Sequence, residues 1–264
     1  MKIRISLVHF LNSAPLGWGF LRGPYGKDFE VVPSAPSQCA DQLAAGEVDI
    51  GLIPSIEYQR IPDLEIIPDI SIASLEKVRS LLLIKPKGKT ELRSVALDTS
   101  SRTTVALTRM LLREKMGIQP EFLPHAPDLP RMLARCDAAL LIGDAALQVN
   151  PEDYDTIDLV EEWVAWQKKP FVCAVWACRN TGKLPEELPA IFQAAREWGL
   201  LHFPEIAAVY AKSLNLPALF LENYLRNNID FYLGPKHLEG LNAFYRLAAR
   251  QEIIPELRPL TFLT

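Results

Sequence analysis

The chain has 264 residues, 49% of them hydrophobic and 23% charged, the balance of a globular protein with a real core. That length supports one large α/β domain or two modest lobes. A net charge of −4 with no concentrated basic stripe argues against a nucleic-acid surface, which needs clustered Lys and Arg against phosphates.

The first strand is expected over 2–8. Lys2 and Arg4 before Ser6-Leu7-Val8 imitate a signal peptide, but His9, Asn12 and Pro15 break the apolar run at once, so a strand explains it better. No apolar run approaches the about 20 residues of a membrane span. The cysteines at 39, 136, 173 and 178 show no C-x-x-C or zinc spacing. These features lead us to expect a cytoplasmic protein with neither metal nor membrane partner.

Residues 11–16 read as a loop, followed by a helix over 37–45 with Ser37 as its cap and Gly46 as its end. Strand 48–53 comes next, then extended runs over 65–72 and 80–84. The polar stretch 85–91 reads as the crossing between lobes, and its lysines at 85, 87 and 89 as a solvated loop. A second unit follows: strand 95–97, turn 98–101, a helix over 102–116 with Leu107, Met110 and Leu111 on one stripe, a helix over 128–135 and strand 138–142. Residues 171–178 read as a strand returning to the first lobe. From Pro185 onward the chain is mostly helical. Trp163, Trp166, Trp176 and Trp198 are expected to pack rather than to bind. The expected organisation is lobe 1 over 1–88, lobe 2 over 89–170, and a return to lobe 1 with C-terminal helices over 171–264.

Two segments look like variants of one another. Val48 to Ser55 and Cys136 to Asp144 each run from an acidic residue through a short apolar strand into Pro-Ser or Gly-Asp. Ligands in open α/β sheets collect beyond the carboxyl ends of such strands, so two similar lobes with a cleft between them are expected. The richest polar cluster is Asp98-Thr99-Ser100-Ser101-Arg102-Thr103-Thr104, set between a strand and a helix amino terminus. Free N–H groups, the helix dipole and the hydroxyls of Ser100, Ser101, Thr103 and Thr104 suit a carboxylate or phosphate, with Arg102 as a charged fork. The plainer alternative is that one serine merely caps the helix. Asn12, Ser55, Ser80 and Gly143-Asp144 are further cleft candidates, Asp144 being also a possible helix cap. Nucleophilic catalysis finds no G-x-S-x-G elbow, and the four histidines lack metal spacing.

L-N-S-A-P-L at 11–16, D-I-G-L-I-P-S-I-E-Y at 49–58, V-R-S at 78–80, D-T-S-S-R-T at 98–103, I-G-D-A-A-L at 142–147 and P-F-V-C-A-V-W at 170–176 together resemble the chorismate dehydratase (MqnA) family of the futalosine route to menaquinone. G-L-N-A-F-Y at 240–245 is also similar. The resemblance implies a type II periplasmic-binding-protein-like fold with a hinge and an interlobe cleft. It also implies a cofactor-independent lyase that removes water from chorismate to give 3-[(1-carboxyvinyl)oxy]benzoate. On that reading Asn12 and Ser80 orient the reacting ring and its hydroxyl, while Ser101, Arg102 and Thr103 hold a carboxylate. The base stays open between Asp144, Glu57, His9 and the substrate's own enolpyruvyl carboxylate. The rivals are 1,4-dihydroxy-6-naphthoate synthase on the same fold, a non-catalytic carboxylate-binding protein and the effector domain of a regulator. Oligomeric state is not legible.

Overall fold

The computed structural model describes residues 2–179 and 184–264. One sheet holds β1 (Ile3–Val8), β2 (Phe29–Ser34), β3 (Ile50–Pro54) and β4 (Glu65–Ser74). A second holds β5 (Leu81–Pro86), β6 (Ser94–Asp98), β7 (Glu121–His125), β8 (Ala138–Ile142) and β9 (Tyr154–Asp158). The chain then rejoins the first sheet as β10 (Phe171–Cys178) and β11 (Asp230–Leu233). The strand orders are β11-β4-β10-β3-β1-β2 and β7-β6-β8-β5-β9.

The two sheets repeat one topology. β1 pairs in parallel with β2 and β3, through helices Ala14–Leu21 and Pro36–Ala45. β6 pairs in parallel with β7 and β8, through helices Thr103–Met110 and Leu129–Leu133. The incoming strand β5 lies antiparallel beside β8, and the returning strand β10 lies antiparallel beside β3. The two look-alike segments of the sequence therefore occupy equivalent strands. Every residue of β3 and β8 is buried, which is why neither shows polar alternation.

The architecture is α/β and two-lobed, as read from the sequence, but the crossing is placed differently. The run 81–86 belongs to the second sheet, paired with β8 and β9, so the chain crosses over 75–80 rather than 85–91. The polar stretch is instead a surface turn that Asp155 and Asp137 tie down, through Lys85 at 3.2 Å, the Gly88 N–H at 3.0 Å and Lys89 at 2.6 Å. At the true crossing Arg79 has φ +61°, and the Val78 and Arg79 N–H groups donate to Asp158 Oδ2 at 3.0 and 2.6 Å. The return crossing also carries a left-handed residue, Lys168 at φ +55°.

Three local expectations change. Residues 11–16 form a 3-10 turn, Leu11–Ser13, leading into helix Ala14–Leu21. Ser37 lies inside its helix, whose cap is Ala35 with its N–H held by the Gln38 side chain at 3.0 Å. The helix expected over 102–116 is α-helical over Thr103–Met110 and continues as a π-helical segment, Leu111–Lys115.

The C-terminal helices cover the first lobe. Helix Leu188–Leu201 runs against helix Ala14–Leu21, and Phe192 meets Phe20, Phe29 and Trp176 in edge and tilted contacts. Trp163 and Trp176 are core residues. The helix pair approaches at backbone distance at Gly199, where an added Cβ would overlap the Pro15 carbonyl. Overpacking of this kind costs about 3 kcal/mol when backbone must move. Gly199→Ala should therefore lower the thermal midpoint by about 5–10 °C, read by circular dichroism; an unchanged midpoint would show that the helices are not held in this contact.

Candidate active site

The carboxyl ends of β1, β3, β6 and β8 face one another between the lobes, as the switch-point rule requires. They meet in crossed pairs. The end of β1 docks on the end of β8, where the Leu11 N–H donates to Asp144 Oδ1 at 2.9 Å and Phe10 lies over Gly143. The end of β3 docks on the segment after β6, where the Ile56 N–H donates to Thr103 Oγ1 at 3.1 Å.

A cavity of about 50 Å³ lies between these contacts. An apolar cavity of roughly 150 Å³ is what takes up benzene, so the space between the lobes in this conformation is too small for a ring-sized ligand. Asn12, Ser101, Arg102, Thr103, Thr104 and Gly143 line it, with Phe10, Ile72, Leu81 and Cys173 among its less polar walls. Burial pushes the Cys173 thiol up to about 12, so it faces the cavity uncharged.

Helix Thr103–Met110 points its amino terminus at this space. Its first internal bond runs from the Ala106 N–H to the Arg102 carbonyl at 3.1 Å, which leaves the N–H groups before Ala106 without helical partners. Asp98 shapes the approach: its Oδ1 accepts from the Ser100 N–H at 2.9 Å and hydroxyl at 2.6 Å, and its Oδ2 from the Ile142 N–H at 3.3 Å. Burial raises the Asp98 carboxyl above its usual range, opposed by these bonds. Opposite the helix, Asn12 Oδ1 is buried without a hydrogen-bond partner among the described residues. A buried acceptor left unpaired costs about 1–3 kcal/mol, and a ligand donor in the cavity would relieve that.

Of the sequence-derived candidates, Asn12, Ser101, Arg102, Thr103, Thr104 and Gly143 share the cavity, whereas Ser55, Ser80, Ser100 and Asp144 do not line it. Ser55 turns inward, its hydroxyl donating to the Val172 carbonyl at 2.8 Å and its carbonyl accepting from Tyr245 at 2.5 Å. Ser80 is fully buried and accepts from the Tyr224 hydroxyl at 2.7 Å. Ser100 is spent on Asp98, and Asp144 on Leu11. Arg102 also departs from expectation. Its guanidinium donates to Glu57 at 2.8 Å and Asp41 at 2.7 Å, both in the first lobe. Burial works against its charge, and those two carboxylates outweigh it, so its pKa rises. The arginine clasps the lobes together instead of presenting a free fork. Asp41, Phe10 and Tyr224 went unnoticed in the sequence, since nothing local marks a residue whose partner lies in the other lobe.

A family model described as menaquinone biosynthesis matches residues 3–250. A curated relative, the chorismate dehydratase of Thermus thermophilus, is 33% identical over 91% of this chain and 93% of its own length. Among solved structures, protein AF1704 from Archaeoglobus fulgidus superposes with a TM-score of 0.76 at 16% identity, covering 96% of this chain and 98% of its own. The periplasmic aliphatic sulphonate binding protein SsuA from Escherichia coli gives 0.65 at 16% identity, over 97% and 94%. The fold is that of periplasmic binding proteins, and the chain belongs to the menaquinone biosynthesis family.

Proposed function

We propose that the protein is a chorismate dehydratase. It removes water from chorismate to give 3-[(1-carboxyvinyl)oxy]benzoate, without a cofactor, as a cytoplasmic step of the futalosine route to menaquinone. The observation that carries this reading is an interlobe cavity lined by a helix amino terminus and hydroxyls, which suit a carboxylate, and by one unpaired amide oxygen, which suits a hydroxyl donor. The relative at 33% identity supports the choice of substrate, and among the described residues no helix is long and apolar enough to cross a membrane.

The chemistry follows from the substrate. The departing hydroxyl and the lost proton sit on neighbouring ring carbons, and their removal makes the ring aromatic. The proton is conjugated through a ring double bond to the ring carboxylate, so negative charge spreads onto that carboxylate as the C–H bond breaks. N–H groups at the start of helix Thr103–Met110, with the Ser101 and Thr104 hydroxyls, stabilise that charge more in the transition state than in the ground state. The Asn12 amide orients the ring and its hydroxyl. Among the described residues the cavity lining holds no carboxylate or imidazole, so the proton acceptor is the substrate's own enolpyruvyl carboxylate, tethered through its ether to the carbon that loses the proton. The carboxylic acid so formed hands that proton to the departing hydroxyl as the C–O bond breaks, so one water leaves and the enolpyruvyl carboxylate is regenerated. Closure by Arg102, Glu57 and Asp41 keeps bulk water out and strengthens each dipole.

Incubation of the purified protein with chorismate should give an aromatic product lighter by one water in mass spectrometry; unchanged chorismate contradicts the reading. Asn12→Ala should lower kcat/KM by about 100- to 1,000-fold with an unchanged melting temperature, and wild-type kinetics would remove Asn12 from the mechanism. Replacing Ser101 by Ala together with Thr104 by Val should lower kcat by about 10-fold or more, the loss of hydrogen bonds to charge that builds up in the transition state. Steady-state kinetics with wild-type kcat would contradict that placement.

A further inference from the structure

Residues 10 and 11 of the first lobe sit directly on residues 143 and 144 of the second. Gly143 has φ +60°, and a Cβ there would lie 2.5 Å from the Phe10 ring, so glycine alone lets the ring settle. One residue further on, the Leu11 N–H reaches Asp144 Oδ1 at 2.9 Å. Leu11 opens the 3-10 turn Leu11–Ser13, whose first N–H has no partner inside the turn, and a carboxylate is a strong acceptor for it. The middle residue of that turn is Asn12, with its buried, unpartnered Oδ1 at the cavity. Asp144 itself does not line the cavity. The Gly143 N–H, meanwhile, donates to the Ser80 carbonyl at 2.8 Å, which fastens the same turn of the second lobe to the crossing between lobes.

We propose that Asp144 is a positioning residue that reaches across the closed cleft to hold the Leu11–Ser13 turn, so that the Asn12 amide is set against the reacting ring only when the lobes have met. This inference rests on the dehydratase reading and adds a residue to it. A general base must touch the proton it takes, and the place of Asp144 outside the cavity lining denies it that role. The titratable groups facing it are His9 from the strand end below, Tyr210 from helix Phe203–Leu214 and Tyr224 from helix Ala218–Asn227. The Tyr210 hydroxyl donates to the His9 carbonyl at 3.1 Å. Burial pushes the Asp144 carboxyl up to about 6, opposed by the Leu11 N–H and by His9. Burial thus disfavours the charge at this position, and a neutral acceptor of the same shape keeps the contact with the Leu11 N–H.

The test compares Asp144→Ala with Asp144→Asn, alone and combined with Asn12→Ala. Asp144→Ala should lower kcat by about 100-fold, the cost of a reacting group held about 1 Å out of place, with a smaller change in KM. Asp144→Asn should keep kcat within about threefold, because its amide oxygen accepts the same N–H. In an Asn12→Ala background Asp144→Ala should cost less than about threefold more, since the two act as one unit. Equal damage from Ala and Asn, additive losses in the double variant, or wild-type kcat in Asp144→Ala would each overturn the proposal. Should the wild-type protein leave chorismate unchanged, the dehydratase reading fails instead. Hydrogen exchange at the Leu11 amide then still decides the contact: faster exchange in Asp144→Ala than in Asp144→Asn upholds it, and equal rates overturn it.

Discussion

A guanidinium drawn partly out of water between two lobes must be matched by opposite charge or it drives them apart. Arg102 is matched twice, by the nearly buried Glu57 and by Asp41, and the next residue, Thr103, takes the Ile56 N–H. This pair of residues brings the amino terminus of helix Thr103–Met110 against the first lobe and fixes the floor of the cavity. Because the arginine's charge is neutralised by protein, the cavity presents mainly neutral dipoles. A free arginine fork would grip a carboxylate before and during reaction alike, whereas helix N–H groups aimed at one carboxylate reward the charge that builds up there.

The geometry follows from an internal repeat. Because β1–β2–β3 and β6–β7–β8 share one topology, the lobes present the same strand ends to the cleft, and closure joins the end of β1 to that of β8 and the end of β3 to the start of the helix after β6. Each crossing carries a left-handed residue, Arg79 or Lys168. The cavity of about 50 Å³ between the lobes does not accommodate a ring, so on the proposed function binding requires movement about these two crossings.

The sequence made the covered strands and the hydroxyl-rich segment at a helix start legible because both signals are local. Val48 to Ser55 and Cys136 to Asp144 lack polar alternation for the reason that helices cover both faces, and four hydroxyls beside a helix start exceed what a cap needs. Edge strands were not legible. Phe29–Ser34 contains a proline, and Tyr154–Asp158 alternates too weakly to stand out. Helix Ala14–Leu21 is masked by two glycines and a proline. The polar stretch 85–91 has the composition of a crossing, whereas the crossing lies at 75–80, where Asp158 holds the Val78 and Arg79 N–H groups. The candidate site divided along the same line. Asn12, Ser101 and Thr104 need only their strand ends to face the cleft. Ser55, Ser80 and Arg102 take their roles from Val172, Tyr224, Glu57 and Asp41, all distant in the chain except in the folded state.

The most direct test of this account is a crystal structure of the protein grown with 3-[(1-carboxyvinyl)oxy]benzoate. The expected result places the ring carboxylate about 2.7–3.1 Å from the N–H groups that open helix Thr103–Met110, with the Asn12 amide on the ring and Arg102 still paired to Glu57 and Asp41. A carboxylate seated on the Arg102 guanidinium with Glu57 turned away, or a ring bound outside the cleft, would contradict it.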